Sequence, residues 1–157
     1  MHAFEDFKVG DIMELGPIAV TAADIKSFAT RFDPQPMHLD EAAHQNTILS
    51  GLFASGLHIV CMHMRLFADG VLRDSTSMGS PGVEEIRYLA PVRSGDTLTL
   101  RVEVLAARPS KSRPEMGLVN FRSHMVNADS KRVMEMTATL MFGRRPGDGR
   151  REVVPSS

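Results

Sequence analysis

The chain contains few of the residues that crosslink proteins or stack on nucleic-acid bases. Among 157 residues there is one cysteine, no tryptophan and one tyrosine. A single cysteine, Cys61, excludes a disulfide within the chain, and the simplest expectation is a reducing compartment such as the cytoplasm. The scarcity of aromatic side chains argues against a platform for stacking bases.

The chain also lacks an excess of either charge and any long apolar run. Its formal net charge is -1 at pH 7, which gives no electrostatic argument for nucleic acid or an anionic membrane as a partner. No apolar run approaches the ~20 residues that span a bilayer. The first residues also lack the basic-then-apolar pattern of a signal peptide. We therefore expect a cytoplasmic protein with no nucleic-acid or membrane partner.

The composition is that of one globular domain. Hydrophobic residues make up 43% of the chain and charged residues 24%, and a chain of this length can bury a sizeable core. Residues 144–157 are rich in Gly, Pro, Arg and Ser. We expect them to form a polar, flexible tail after a domain that covers residues 1–143.

The first half of the sequence predicts a strand, a helix and then a loop. Residues 12–20 form a plausible strand, interrupted at Gly16-Pro17. Thr21 is a good N-cap for the helix that follows. That helix should end near Phe32, because the residue before Pro34 avoids the α region. Residues 40–44 are predicted to form a second, short helix.

The rest of the chain predicts one buried helix followed by a sheet. Residues 54–72 are apolar on almost every face, which is typical of a buried helix, and Cys61 within it is expected to be an inert buried thiol. Four later segments carry strand signals: 82–88, 97–106, 117–126 and 132–142. Their short connections favour an antiparallel meander. The expected fold class is α+β, with a curved sheet around one long helix.

Two features of the sequence can carry chemistry. Asp33 and His38 lie in a loop that Pro34 and Pro36 stiffen, so five residues of separation can still bring the two side chains together. A carboxylate beside an imidazole can polarise a water molecule. Gly56 begins the apolar helix, where a free amide can stabilise negative charge on a carbonyl oxygen.

The residues alone leave other interpretations open. Asp33 can be a plain turn residue and His38 a loop histidine with satisfied hydrogen bonds. His38 and Asp40 also match the start of an iron-binding facial triad, with His63 or His124 as a distant third ligand. That triad normally lies on strands, and this motif lies in a loop.

Longer motifs favour the catalytic interpretation. The run DPQPMHLD (33–40), the run GLFASG (51–56) and the run GVEEIRYLAPVRSGD (82–96) together resemble the MaoC-like dehydratases. This is the (R)-specific 2-enoyl-CoA hydratase group of the hotdog-fold superfamily. The resemblance extends from about Phe7 to Phe142.

The resemblance implies a fold, a reaction and a site. The fold is a hotdog fold that pairs into homodimers, and the substrate is an acyl-CoA thioester. Asp33 and His38 hold the catalytic water and the Gly56 amide polarises the thioester oxygen, so neither metal nor redox cofactor is needed. Ser55 stands where the family often has histidine, and no hydroxyl residue further along the helix is evident to orient the acid–base pair.

The substrate-binding residues predicted from the sequence fall into two groups. Ser55, Pro36 and Leu57 are expected near the acyl group. A basic turn can reach the CoA phosphates, although a solvated hairpin tip is the alternative; its residues are Arg108, Lys111 and Arg113. Two rival functions also stay open: an acyl-CoA thioesterase of the same fold, and a non-catalytic acyl-thioester-binding subunit.

Overall fold

The computed structural model describes residues 1–43, 45 and 47–147. Within them the strands are β1 (Ile12–Ala19), β2 (Gly82–Tyr88), β3 (Thr97–Pro109), β4 (Met116–Val126) and β5 (Arg132–Gly143). The α-helices are α1 (Ala22–Phe32) and α2 (Gly56–Gly70), and 3₁₀ helices span Phe4–Asp6, Pro36–His38 and Leu72–Asp74.

The five strands form one antiparallel sheet in the order β1-β3-β4-β5-β2. The predicted meander is confirmed for β3, β4 and β5 but is wrong for β2, which pairs with β5 at the sheet edge. The segment after β2 cannot make a tight hairpin, because it contains Pro91 and passes the start of α2. There the Ala54 N–H donates to the Val92 carbonyl at 2.8 Å.

Local sequence signals explain the first half of the fold. The Thr21 hydroxyl accepts from the Asp24 N–H at 3.1 Å and caps α1, which ends at Phe32 as predicted. The predicted helix at residues 40–44 is wrong over the described residues. The Asp40 carboxylate accepts from the Ala42 N–H at 2.8 Å and closes a turn instead, a competition with helix formation that is common for Asp.

The core lies between α2 and the inner face of the sheet. Phe67 of α2 packs edge-on against Phe121 of β4, with ring centroids 5.4 Å apart. Burying side chains of this size contributes about 1.5–3 kcal/mol each. This arrangement of one long helix on a curved antiparallel sheet confirms the predicted α+β hotdog plan.

The prediction that α2 is buried on every face is wrong for this chain. Leu57 and Met64 are exposed, and Cys61, predicted to be buried, is exposed too. The sheet covers only one face of the helix, and these three residues lie on the other. No helix among the described residues is long and apolar enough to cross a membrane.

The first residues of the predicted tail are bonded to the domain. Arg144 Nε donates to Glu5 Oε1 at 3.3 Å, and Arg145 forms two hydrogen bonds to the Asp6 carboxylate. The remainder of that predicted tail, from residue 148 on, lies outside the described residues.

Candidate functional site

A cavity of about 560 Å³ opens where the loop after α1, the start of α2 and the end of β2 meet. Both residues of the predicted acid–base pair line it, together with a largely apolar wall. The lining residues are Asp33, Gln35, Met37, His38, Leu49, Phe53, Ala54, Ser55, Gly56, Leu57, Ile59, Tyr88, Leu89, Ala90, Pro91 and Val92.

The loop between α1 and residue 38 brings the pair together. Asp33 is the C-cap of α1, and its N–H donates to the Ala29 carbonyl at 2.9 Å. Pro36 begins the 3₁₀ helix that ends at His38. The chain therefore turns back on itself, and His38 Nε2 lies 3.4 Å from Asp33 Oδ2.

The backbone determines which nitrogen of His38 carries the proton. His38 Nδ1 lies 2.7 Å from the Phe53 carbonyl oxygen. A carbonyl can only accept, so Nδ1 is the donor and the neutral ring keeps its lone pair on Nε2. The ring is 5% exposed, and in its neutral form Nε2 faces Asp33 as a hydrogen-bond acceptor.

Asp33 is held as a carboxylate by two neutral donors. Ser55 Oγ donates to Asp33 Oδ2 at 2.6 Å, and Gln35 Nε2 donates to Oδ1 at 2.6 Å. These hydrogen bonds, that of Ser55 first, lower the pKa of Asp33 below its ordinary value, and the positive charge of a protonated His38 would lower it further. Asp33 is therefore ionised at neutral pH and able to accept a proton.

Gly56 begins α2 beside this pair, and no hydrogen bond within the described residues uses its N–H. The ring of Tyr88 covers its α-carbon: a Cβ added at Gly56 would lie 2.5 Å from Tyr88 Cζ. A side chain at position 56 would therefore have to displace the Tyr88 ring. The amide remains a free donor at the positive end of the helix dipole.

The predicted substrate-binding residues separate into two regions. Ser55 and Leu57 line the cavity, and Pro36 shapes its loop without lining it. The three basic residues do not line the cavity of their own chain: Arg108 lies in β3, and Lys111 and Arg113 lie in the turn between β3 and β4.

The iron-triad interpretation gains no support from the described residues. No group of three or more His, Cys, Asp or Glu side chains among them could hold a metal ion. His63 is 2% exposed within the core, and His124 lies on β4, 3.2 Å from Glu135 Oε2.

Sequence reasoning missed several contributors to the site. It treated Ser55 as a cavity-lining residue, whereas its hydroxyl binds Asp33 and thus supplies the orienting hydroxyl that the helix lacks. It also missed Gln35, Tyr88 and the Phe53 carbonyl. The polar side chain of Gln35, two positions after Asp33, was a signal in the sequence that could have been used. The Phe53 carbonyl is a backbone group and leaves no such signal.

Comparisons with known proteins identify the family of this chain. The family model described as "MaoC like domain" matches residues 8–122. The chain is 33% identical over 150 residues to the (R)-specific enoyl-CoA hydratase of Rhodospirillum rubrum, covering 92% of this chain and 94% of that one. It is 25% identical over 140 residues to the uncharacterized protein YdeM of Bacillus subtilis, covering 89% and 98%.

A solved structure shows the same fold. The crystal structure of a MaoC-like dehydratase from Rhodospirillum rubrum superposes with a TM-score of 0.85 at 39% identity, covering 93% of this chain and 99% of that one. The family match over most of the chain and the relative of 33% identity show that the chain belongs to the MaoC-like domain family.

Proposed function

We propose that this protein is a hydratase/dehydratase that adds water across the C2=C3 bond of a 2-enoyl-CoA and catalyses the reverse elimination. One observation carries the proposal: Asp33 Oδ2 and His38 Nε2 lie 3.4 Å apart on the wall of the cavity, and both can accept a hydrogen bond. A relative named as an (R)-specific enoyl-CoA hydratase supports the same reaction.

The two acceptors suit one water molecule. Such a water donates one hydrogen to His38 Nε2 and the other to Asp33 Oδ2, which leaves an oxygen lone pair directed at the substrate. As the water oxygen forms its bond to C3, Asp33 takes the proton from that water and delivers it to C2. The net change is the addition of H and OH, and both residues return to their starting states.

The thioester oxygen gains negative charge during this addition. The Gly56 N–H, free within the described residues, is the donor that we assign to it. Removing one such donor costs about 10²–10³-fold in rate in other enzymes. Because all charge changes are met by side chains, a backbone amide and the helix dipole, we propose that the reaction uses no cofactor beyond the CoA of its substrate.

The substrate's acyl group fits the apolar part of the cavity, beside Ile59, Leu57 and Leu49. We also propose that the CoA phosphates bind Arg108 at the end of β3 together with Lys111 and Arg113 in the turn that follows.

We also propose that two copies of the chain pair. Leu57, Cys61 and Met64 leave an apolar face of α2 exposed, and β2 is an unpaired sheet edge with Val83 and Tyr88 exposed. An exposed apolar face beside an open edge is a surface that a second copy can cover.

The test of the reaction measures two signals at once. Crotonyl-CoA is incubated with the protein while the enoyl absorbance and free thiol are followed. Loss of enoyl absorbance without thiol is the expected result. Thiol release would identify a thioesterase instead, and a change in neither signal, with longer enoyl-CoAs also unreacted, would support a binding subunit.

A further inference from the structure

Arg93, in the turn between β2 and β3, holds the segment that forms one side of the site. Its Nη1 donates to the Ser50 carbonyl at 2.8 Å and to the Leu52 carbonyl at 3.4 Å. We call this group, Arg93 with the two carbonyls, the arginine clasp. Gly51 lies between the two carbonyls at φ +87°, a backbone conformation that favours glycine. A Cβ at this position would lie 3.3 Å from Arg93 Nη1 and would crowd the guanidinium.

The clasp continues directly into the residue that binds His38. Phe53 donates its N–H to the Met37 carbonyl at 3.1 Å and accepts at its own carbonyl from His38 Nδ1 at 2.7 Å. Its ring lies edge-on to the His38 ring at 5.1 Å, and Arg93 Cζ lies 5.9 Å from the Phe53 ring centroid. The Ala54 N–H of the same peptide group donates to the Val92 carbonyl at 2.8 Å. The acceptor of His38 is therefore held on one side by the clasp and on the other by Val92, the residue before Arg93.

Two neighbours compete for the single proton of the neutral His38 ring. The Phe53 carbonyl favours the proton on Nδ1, whereas the Asp33 carboxylate, 3.4 Å from Nε2, favours it on Nε2. Only the first arrangement leaves Nε2 able to accept a hydrogen bond from water. The position of the Phe53 carbonyl thus decides whether His38 can take part in holding that water.

We propose that Arg93 is a positioning residue, which acts through the clasp and the Phe53 carbonyl to keep the proton of His38 on Nδ1. The expected effect of Arg93 on turnover rests on the proposed hydration reaction. Its expected effect on which nitrogen of His38 carries the proton does not. Arg93 does not line the cavity, so we assign it this indirect role and no contact with the acyl group.

The test compares Arg93→Met, which removes the donors, with Arg93→Lys, which keeps one cation. Arg122→Met on β4, whose side chain pairs with Glu103 at 3.0 Å, is the control. ¹⁵N NMR of the neutral histidine rings, with His38 assigned from the missing signals of His38→Gln, reads the tautomer. The kcat and KM for crotonyl-CoA are measured on the same samples.

We expect wild type and Arg122→Met to show Nδ1–H. Arg93→Met should shift the ring towards Nε2–H and lower kcat by about 10²-fold, the effect of a misplacement near 1 Å, with KM within about twofold. Arg93→Lys should lie between wild type and Arg93→Met in both the His38 tautomer and kcat. If Arg93→Met does not fold, the tautomer of Arg93→Lys tests the proposal.

An unchanged tautomer in the Arg93 variants would overturn the proposal, even if kcat fell, because a purely structural loss lowers kcat without moving the proton. Failure of the proposed function looks different: wild type would then show no hydration of any enoyl-CoA, while the tautomer shift in Arg93→Met would still be seen.

Discussion

The loop after α1 and the middle of α2 each bury a histidine, and the two rings differ in their partners. His38 is 5% exposed and His63 is 2% exposed. His38 has the Phe53 carbonyl on one nitrogen and Asp33 beside the other, whereas neither nitrogen of His63 has a hydrogen-bond partner among the described residues. Burial alone therefore does not fit a histidine for acid–base chemistry; its hydrogen-bond partners determine whether the ring can hold water.

The chemical consequence for His63 is that it stays neutral. Burial lowers the pKa of His63 to about 4, and the ring packs near Phe67 with centroids 6.1 Å apart. A buried polar group without a partner costs about 1–3 kcal/mol. We interpret His63 as a core residue, and the predictions below test its contrast with His38.

The largest effect is expected from the acid–base pair. Asp33→Asn and His38→Ala should each lower kcat for crotonyl-CoA by about 10²–10⁴-fold, the range for lost acid–base catalysis, with circular dichroism unchanged. His63→Leu should keep kcat within about twofold. Wild-type turnover in Asp33→Asn or His38→Ala would contradict the proposed mechanism. A His63→Leu variant that is folded but inactive would contradict the proposed difference between His38 and His63.

The second-largest effect is expected in the pH dependence of the free energy of unfolding, which should reveal the buried neutral His63. The unfolded His63 ring takes up a proton below about 6.5, whereas the folded ring does so only near 4. The unfolded state therefore binds more protons between these values, and stability falls as pH drops through that window. Wild type should lose about 3 kcal/mol relative to His63→Leu between pH 7 and pH 4.

Urea unfolding at several pH values measures this loss. Because the carboxylates of both proteins titrate alike, the difference between wild type and His63→Leu isolates the histidine. A difference that does not vary with pH would show that His63 has a partner in solution.

A smaller effect on activity is expected from Ser55, whose hydroxyl donates a hydrogen bond to Asp33. Ser55→Ala removes the hydrogen bond that contributes most to the low pKa of Asp33. The pKa of Asp33 should rise, so the acid limb of the rate profile should move to higher pH and kcat/KM should fall about 10-fold, as for one hydrogen bond to a charge. Ser123→Ala, a buried serine on β4, is the matched control and should leave the limb in place.

The smallest effect should come from Gln35, which donates to the other oxygen of Asp33 from an exposed position. Gln35→Ala should move the acid limb in the same direction as Ser55→Ala but less far, because its hydrogen bond lowers the pKa of Asp33 less. The pH–rate profile of the two variants, measured side by side, gives the order. A larger shift in Gln35→Ala would mean that Ser55 does not control the carboxylate.

Those parts of the fold that depend on local patterns could be predicted from the sequence. Alternating apolar residues marked β3, Pro34 marked the end of α1, and the two prolines explained how Asp33 and His38 meet. The parts that depend on distant contacts could not. The bond from Ser55 to Asp33 joins residues 22 positions apart.

The errors have physical causes of the same kind. Cys61 lies in an apolar helix, but its exposure depends on which face the sheet covers. The edge position of β2 depends on the route of residues 89–96 past α2. The Phe53 carbonyl, which orients His38, belongs to a backbone that every residue shares and so leaves no trace in the sequence.

The most direct test of the central claim is the fate of water oxygen during turnover. Crotonyl-CoA is incubated with the protein in H₂¹⁸O and the product is analysed by mass spectrometry. We predict one ¹⁸O in the hydroxyl at C3 of a product whose thioester is intact, and none from Asp33→Asn or His38→Ala over the same time. Label found in a free carboxylate, with CoA released, would contradict the account.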